Sequence, residues 1–153
     1  MMTTSDAGIE MLKRFEGIGG KPVLKAYWDY KGYSIGYGHL GAQKGQTITA
    51  EEAERLLVAD VKAAEREVNG MQVELEQCQF DALVSLVYNI GSGQFRSSTV
   101  RRLVSESREA RAALEIAWFM WVKVRDPKSH TLKTSVALSA RRAQEWDMYK
   151  GQK

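Results

Sequence analysis

Two carboxylates and a hydroxyl in the first third of the chain have types and spacing suited to hydrolysis. Glu16 stands where a first helix is predicted to end, and Asp29 and Ser34 lie in a short glycine- and tyrosine-rich stretch. A carboxylic acid that donates a proton, together with a second carboxylate that handles water, is the usual equipment for cleaving a glycosidic bond. On position alone a glutamate at a helix end is more often a solvated residue, so the neighbouring motifs must decide.

A first helix is predicted to position Glu16. Ser5 or Thr4 can cap its amino terminus, and Gly17 is well placed to end it. Its apolar positions recur at helical spacing: Ile9, Met11, Leu12 and Phe15. Glu16 then lies in the last turn, where the negative end of the helix dipole disfavours a charged carboxylate. A general acid needs an environment that keeps its proton.

A small antiparallel sheet is predicted to position Asp29 and Ser34. Residues 33–37 alternate between apolar and small or polar side chains, which indicates a strand with one covered face. Lys31-Gly32 is a plausible turn back to an earlier strand through Asp29, and Thr47-Ile48 is a possible third strand.

The remainder of the chain shows mainly helical patterns. Thr49-Ala50-Glu51-Glu52 matches a capping box and opens a helix predicted to run to Asn69-Gly70. Four later stripes follow helical spacing: Phe80, Leu83, Val84 and Val87; Val100, Leu103 and Val104; Ala110, Leu114, Ala117, Trp118 and Trp121; and Leu138, Arg142 and Trp146. Helices combined with a small antiparallel sheet predict an α+β fold.

Composition narrows the class of protein. The 153 residues carry a net charge of +3, which suits an anionic polymer without requiring one. The only cysteine is Cys78, so no intrachain disulfide can form, and with two histidines a metal site is not expected. The first residues show no signal-peptide pattern and no run is long enough to span a bilayer, so we expect accumulation in the cytoplasm and no membrane insertion.

Five motifs in order resemble the phage-type lysozymes, the endolysin family that includes the phage T4 enzyme. They are Arg14-Phe15-Glu16-Gly17; Lys25-Ala26-Tyr27-Trp28-Asp29 with Ser34-Ile35-Gly36-Tyr37-Gly38-His39; Gln79-Phe80-Asp81-Ala82-Leu83 with Asn89-Ile90-Gly91; Phe95-Arg96-Ser97-Ser98-Thr99; and Arg141-Arg142-Ala143-Gln144-Glu145-Trp146. Together they span nearly the whole chain.

The resemblance implies a single lysozyme-like domain over residues 1–153. Residues 17–49 would form a small β-hairpin lobe, residues 1–16 and 50–153 a mostly helical part, with a cleft between them. The helix that begins after Thr49 would link the two lobes.

The activity implied is that of a muramidase, which hydrolyses the β-1,4 bond between N-acetylmuramic acid and N-acetylglucosamine in bacterial peptidoglycan. Glu16 would protonate the leaving oxygen, Asp29 would activate or orient a water, and Ser34 would help to hold it. No cofactor or metal is implied. The protein would be a monomer held in the host cytoplasm until a holin opens the membrane.

Two alternatives stay open. A lytic transglycosylase would cut the same bond without water, although Asp29 argues against that chemistry. The intact Glu16, Asp29 and Ser34 argue against a wall-binding relative without catalysis, but the altered spacing keeps this alternative open. Twelve residues separate Glu16 from Asp29 where the family usually has eight, and four separate Asp29 from Ser34 where it has five before a threonine. The extra residues fall in Ile18-Gly19-Gly20-Lys21-Pro22, which reads as a loop.

Other conspicuous residues are assigned structural roles. His39 is expected to be a structural hydrogen-bonding residue. Trp118, Trp121 and Trp146 are expected in the core, whereas Trp28 and Tyr30 should face away from Asp29 rather than bind a sugar. Arg101-Arg102 and Arg141-Arg142 are interpreted as solvated helix faces. Residues 94–98 and 123–133 should rim the cleft. The basic residues form no stripe, so binding to nucleic acid is not expected.

Overall fold

The computed structural model describes residues 1–106 and 111–151, and these residues form helices with two small antiparallel sheets. The elements run in the order α1 (Asp6–Glu16), β1 (Val23–Asp29), β2 (Gly32–Gly36), β3 (His39–Ala42), α2 (Ala50–Asp60), α3 (Lys62–Asn69), α4 (Gln77–Ile90), α5 (Ser92–Arg96), α6 (Thr99–Glu106), α7 (Arg111–Trp118), β4 (Lys123–Arg125), β5 (Leu132–Thr134) and α8 (Val136–Tyr149). The predicted α+β class is confirmed.

The chain divides into two compact units. One is Thr4–Ala63, and the other combines Met1–Thr3 with Ala64–Lys153. The first unit holds α1 and α2 as well as the three-stranded sheet, whereas the β lobe implied by the resemblance contains only residues 17–49. That the whole chain forms a single domain stays a prediction.

Helix α1 begins and ends where the sequence predicts. Ser5 is the N-cap and its side chain accepts a hydrogen bond from the Gly8 amide at 3.2 Å, which satisfies one of the free amides of the first turn. Gly17 is the C-cap, so Glu16 is the last residue of the helix. Ile9, Met11 and Leu12 of the predicted apolar stripe are buried, whereas Phe15 is half-buried.

The sheet of the first unit has the antiparallel order β1-β2-β3. Asp29 pairs with Gly32, so the two-residue loop is Tyr30-Lys31 and the predicted turn at Lys31-Gly32 is wrong by one residue. The third strand is β3, not Thr47-Ile48. Thr47 forms only an isolated bridge with Lys25.

A tight turn explains why the third strand comes earlier than predicted. Gly36 and Gly38 have φ angles of 68° and 82°, which side-chain-bearing residues rarely adopt, and they reverse the chain around Tyr37. Gly36 also packs against α2, because a Cβ atom there would lie 3.3 Å from the Cβ of Ala53. Ile35 of β2 and Leu57 of α2 are almost fully buried nearby in the same unit.

The predicted helix over residues 50–69 is two helices in the structure. Thr49 caps α2 by accepting from the Glu52 amide at 3.1 Å, as the capping box predicts. Val61 is the C-cap, and α3 follows from Lys62 to Asn69. Val61 carries no helix-breaking signal. It is fully buried at the position where the helix breaks.

The second unit is organised around α4 and α8. The predicted stripe Phe80, Leu83, Val84 and Val87 is fully buried on α4. Trp118, Trp146 and Tyr149 form an aromatic cluster with ring centroids 5.3–5.7 Å apart, within the range of favourable ring contacts. Trp121 is only half-buried and lies beyond the end of α7, so its placement in the core was wrong. Ala110 of the predicted stripe lies outside the described residues.

A buried ionic cluster contradicts the reading of Arg141-Arg142 as a solvated face. Arg141 is 6% exposed, and Arg142 and Glu145 are fully buried. Spacings of four and three residues place both guanidinium groups beside Glu145 on one side of α8, with ion-pair distances of 3.1 and 2.8 Å. Ser85 and the Trp118 indole N–H also donate to this carboxylate, at 2.5 and 3.1 Å. The cluster compensates the cost of burying charge.

The second arginine pair divides. Arg102 is exposed and forms a surface ion pair with Glu106, as a solvated face predicts. Arg101 is half-buried, and its Nε atom is buried without a hydrogen bond among the described residues. The expectation is therefore right for Arg102 and wrong for Arg101.

Candidate active site

Glu16 lies at the carboxyl end of α1 and is followed by a glycine. Any other residue in place of this glycine would force neighbouring atoms to move. The Gly17 amide donates to the Lys13 carbonyl at 2.9 Å. A Cβ atom at Gly17 would lie 2.7 Å from the Lys21 carbonyl oxygen and 2.8 Å from that of Lys13, both of them backbone atoms. Glu16 itself is half-buried. The backbone around this carboxylate is therefore closely packed.

The segment that lengthens the spacing from Glu16 to Asp29 is a closed turn. Ile18 and Lys21 exchange two backbone hydrogen bonds of 2.9 and 3.2 Å. Gly19 and Gly20 between them have φ angles of 61° and 77°, as a two-residue turn with a left-handed backbone requires. These four residues equal the excess over the usual family spacing, and the predicted loop is confirmed.

Lys13 fastens α1 to its neighbours one turn before Glu16. Its ammonium contacts Glu10 of the same helix at 2.9 Å and Glu54 of α2 at 2.5 Å. It also lies 6.0 Å from the centre of the Tyr37 ring. The hydrogen bonds to Glu10 and Glu54 raise the pKa of Lys13 above its ordinary value, despite an opposing effect of burial. Helix α1 is thus tied to α2 by a charged contact.

Asp29 and Ser34 face the same side of the β1–β2 hairpin. Asp29 pairs with Gly32, and Ser34 pairs with Tyr27 two residues before Asp29. Since residues two apart on a strand share a face, the two side chains are diagonal neighbours across the strands. Diagonal neighbours of this kind stand about 7–8 Å apart. Gly32 has no side chain to occupy the space opposite Asp29.

The hydrogen bonding of the two side chains differs. Asp29 is half-buried and its Oδ1 atom accepts from the Tyr30 amide at 2.7 Å, which leaves its other oxygen outside this contact. Ser34 is 2% exposed in the central strand, and its hydroxyl makes no hydrogen bond within the described part of the chain. A carboxylate oxygen and a hydroxyl on one face can together bind a small polar molecule such as water.

Trp28 lies on the face opposite to Asp29, as predicted, whereas Tyr30 lies in the loop that follows β1. Trp28 pairs with Tyr33, and their rings meet edge to face at 5.3 Å. Trp28 and Tyr30 are 68% and 81% exposed. The side chain of Trp28 therefore does not share the face that carries Asp29 and Ser34.

His39 has the structural role expected of it. Its Nδ1 atom lies 2.8 and 3.0 Å from the two carboxylate oxygens of Asp60. The contact joins the start of β3 to the end of α2 and so braces the sheet that carries Asp29. Among residues 1–106 and 111–151, no group of three or more histidine, cysteine, aspartate or glutamate side chains could hold a metal ion.

The three residues predicted for catalysis are brought into one compact unit, Thr4–Ala63. The sequence did not predict the ion pairs of Lys13 or the close packing of the backbone around Gly17. The spacing of Glu10 and Lys13 indicates a contact within the helix, but nothing local indicates the contact with Glu54. No helix of the described residues is long and apolar enough to cross a membrane.

Comparisons with known proteins agree with the motifs. A family model described as phage lysozyme matches residues 13–145. The endolysin of Bacillus phage PZA is 47% identical over 117 residues, covering 74% of this chain and 45% of the relative. The endolysin of Salmonella phage P22 is 40% identical over 136 residues, covering 83% and 89%. The chain therefore spans less than half the length of the Bacillus phage relative.

A solved structure resembles the whole chain. The muramidase domain of SpmX from Asticaccaulis excentricus superimposes with a TM-score of 0.86 at 34% identity, covering 97% of this chain and 98% of that domain. The family model covers all three candidate site residues, Glu16, Asp29 and Ser34. On this evidence, the chain belongs to the phage lysozyme family.

Proposed function

We propose that the protein is an endolysin-type muramidase that hydrolyses the β-1,4 bond between N-acetylmuramic acid and N-acetylglucosamine in bacterial peptidoglycan. The observation that carries this proposal is the diagonal placement of Asp29 and Ser34 on one hairpin face, in the same compact unit as the helix that ends at Glu16. The family's names, endolysin and lysozyme, point to the same chemistry.

Glu16 acts as the general acid in this proposal. It protonates the oxygen of the departing sugar as the glycosidic bond breaks. Its position as the last residue of α1, in the same compact unit as Asp29 and Ser34, supports the role. Gly17 allows the main chain to pack closely beside Glu16. The backbone from which the Glu16 side chain projects is therefore held in place.

Asp29 and Ser34 handle the water that completes hydrolysis. The Asp29 carboxylate accepts a proton from the water or orients it, and the Ser34 hydroxyl supplies a second hydrogen bond that fixes its direction. The hydrogen bond from the Tyr30 amide restrains one oxygen of Asp29. A water held by Asp29 and Ser34 on this face of the hairpin would approach the sugar from the side opposite to the leaving group, as in an inverting enzyme.

The chemistry of the cut ends tests the proposal. Purified peptidoglycan is digested with the protein, and the products are separated and their ends identified by mass spectrometry after borohydride reduction. Reducing N-acetylmuramic acid ends are expected. Anhydro ends would show that the protein is a lytic transglycosylase instead of a hydrolase. Undigested wall with bound protein would show that it is a binding protein.

Release from the producing cell is a further part of the proposal. As the resemblance to the phage T4 type of enzyme implies, the protein would act as a monomer that stays in the host cytoplasm until a holin opens the membrane. Expression of the chain alone in a Gram-negative host tests this, with chloroform added to breach the membrane. Lysis should follow the chloroform; lysis before it would show that the protein reaches the wall by its own route.

A further inference from the structure

Ser34 is nearly inaccessible although its side chain is small and lies on the face of the hairpin that carries Asp29. Only 2% of the residue is exposed. Because β2 is the central strand, Ser34 has a cross-strand neighbour on each side, Tyr27 on β1 and Leu40 on β3. Residues that pair directly across two strands share a face, and their Cβ atoms stand about 4.5–5.5 Å apart. Tyr27 and Leu40 therefore flank the Ser34 hydroxyl.

The ring of Tyr27 borders the space between Ser34 and Asp29. Tyr27 and Asp29 are two residues apart on β1, so they project from one face. Side chains of a strand stand roughly perpendicular to the sheet, and tyrosine extends further from the backbone than aspartate or serine. On the opposite side, the Leu40 Cδ1 atom would lie 3.7 Å from a Cβ atom at Gly32, the residue that pairs with Asp29. The space is therefore bounded by a ring on one side and by an aliphatic side chain on the other.

A water in this space needs more than its hydrogen bonds to stay in one place. Asp29 and Ser34 offer it two polar groups, at the lower end of the two to four partners that a bound water usually has. Tyr27 is half-buried, and its hydroxyl has no hydrogen-bond partner within residues 1–106 and 111–151. The part of Tyr27 that limits the movement of the water is therefore the ring.

We propose that Tyr27 is a positioning residue whose ring encloses the hydrolytic water between Asp29 and Ser34, an inference that rests on the proposed function. The ring acts through this water, because it excludes other water molecules and leaves the bound one directed toward the sugar. Misplacement of a reacting group by about 1 Å can cost about a hundredfold in rate. Loss of the enclosure should therefore lower kcat and leave the affinity for the glycan nearly unchanged.

Two substitutions at Tyr27 and one control test the inference. Tyr27→Ala removes the ring, whereas Tyr27→Phe removes only the hydroxyl. Trp28→Ala removes an aromatic ring from the opposite face of the same strand and serves as the control. The values of kcat and KM are measured on soluble glycan strands from the release of reducing ends, and the melting temperatures are compared with that of the parent.

Tyr27→Ala should lower kcat about tenfold and change KM less than about twofold. Tyr27→Phe should recover most of this loss, because it restores the ring. Trp28→Ala should lower kcat less than about twofold. An effect of Tyr27→Ala that is confined to KM would overturn the inference and make Tyr27 a contact of the glycan, and an effect confined to the melting temperature would make its role structural.

The same substitution in a Ser34→Ala background separates positioning of the water from an independent effect of the ring. Without the Ser34 hydroxyl the water is already loosely held, so Tyr27→Ala should lower kcat less than about threefold further. A tenfold loss in both backgrounds would overturn the inference.

A crystal structure of the unsubstituted protein gives a measurement that depends neither on activity nor on the folding of a variant. It should show one water bound to both Asp29 and Ser34 within about 4 Å of the Tyr27 ring. A ring turned away from this water would overturn the inference. If the parent released no reducing ends, the proposed function would fail, and the position of the water would still decide whether Tyr27 encloses it.

Discussion

Asp29 and Ser34 are diagonal neighbours on one face of the β1–β2 hairpin, because Asp29 pairs with Gly32 and Ser34 pairs with Tyr27. Although the sequence spacing between them is shortened, the carboxylate and the hydroxyl therefore still lie on the same side of the hairpin. The two-residue loop Tyr30-Lys31 makes this possible, since it reverses the chain directly after Asp29.

Substitutions at the two positions should rank in a definite order. Asp29→Asn removes the base and should lower the rate of wall hydrolysis about a hundredfold or more. Ser34→Thr keeps the hydroxyl and restricts its rotamers, so it should stay within a few-fold of the parent, and Ser34→Ala should fall between them. Initial rates of turbidity loss of purified wall provide the measurement. A rate for Ser34→Ala equal to that of the parent would remove Ser34 from the site.

Glu16→Gln should abolish hydrolysis and leave the fold intact. Glutamine has the same shape but cannot donate a proton, and a neutral side chain is compatible with the carboxyl end of α1. Activity should fall at least about a hundredfold with an unchanged melting temperature. Glu51→Gln, an exposed acid on α2, serves as the control. Near-normal clearing of wall by Glu16→Gln would refute the assignment of the acid.

The reaction should invert the configuration at the anomeric carbon. An inverting enzyme places a water between its base and the sugar, so its two carboxyl groups stand about 6.5–9.5 Å apart. Freshly formed products of a short glycan, followed by NMR before they equilibrate, should show the α anomer first. An initial β anomer would mean that Asp29 attacks the sugar directly and that water enters only in a second step, activated by Glu16.

The buried cluster on α8 should be a major contributor to stability. Glu145→Gln leaves Arg141 and Arg142 buried beside a neutral amide, and breaking a buried ion pair in this way typically costs about 3–5 kcal/mol. Urea denaturation should show a loss of this size, whereas Glu115→Gln, at an exposed position on α7, should change the free energy of unfolding by less than about 0.5 kcal/mol. A loss for Glu145→Gln as small as that of the control would mean that the cluster is not needed to hold α4 and α8.

Lys13→Met should weaken the attachment of α1 with a particular dependence on pH. The side chain is 16% exposed, and loss of its two ion pairs should cost about 1 kcal/mol. Because folding raises the pKa of Lys13, its contribution is complete below the ordinary value of about 10.4 and is lost as the pH rises toward the folded-state value. The difference in melting temperature between parent and variant should therefore be constant from pH 6 to about 9 and shrink above about pH 10.5. A difference that grew with rising pH would contradict the assignment.

Helix boundaries marked by caps could be read from the sequence, whereas boundaries without such marks could not. Ser5, Thr49 and Gly17 carry local capping chemistry, and each lies at the predicted end of a helix. Val61 continues the apolar pattern and carries no capping signal, although α2 ends there. The third strand was misplaced because β-branched Thr47 and Ile48 suit a strand, while His39–Ala42, which pairs with β2, contains no β-branched residue.

The burial of Arg141 and Arg142 could not be read from their residue types. Two adjacent arginines on a helix usually point to solvent, but here the Glu145 carboxylate, the Ser85 carbonyl and the Asn89 side-chain oxygen accept from them. The contact with Ser85 bridges 56 residues of sequence, which a local pattern cannot reveal. The chemical types at the candidate site were readable, because the family's motifs preserve them, but the shared face of Asp29 and Ser34 required the strand register.

The closed turn from Ile18 to Lys21 has a consequence for protein engineering. The chain enters the turn at Ile18 and leaves it at Lys21, and these two residues are hydrogen-bonded to each other. Residues inserted between the two glycines would therefore not change the distance that the flanking chain must cover. Neither Gly19 nor Gly20 has a side-chain neighbour in close contact. The tip is therefore a permissive position for a genetically encoded tag or a wall-targeting peptide, which would be carried beside Glu16 without stretching the path to Asp29.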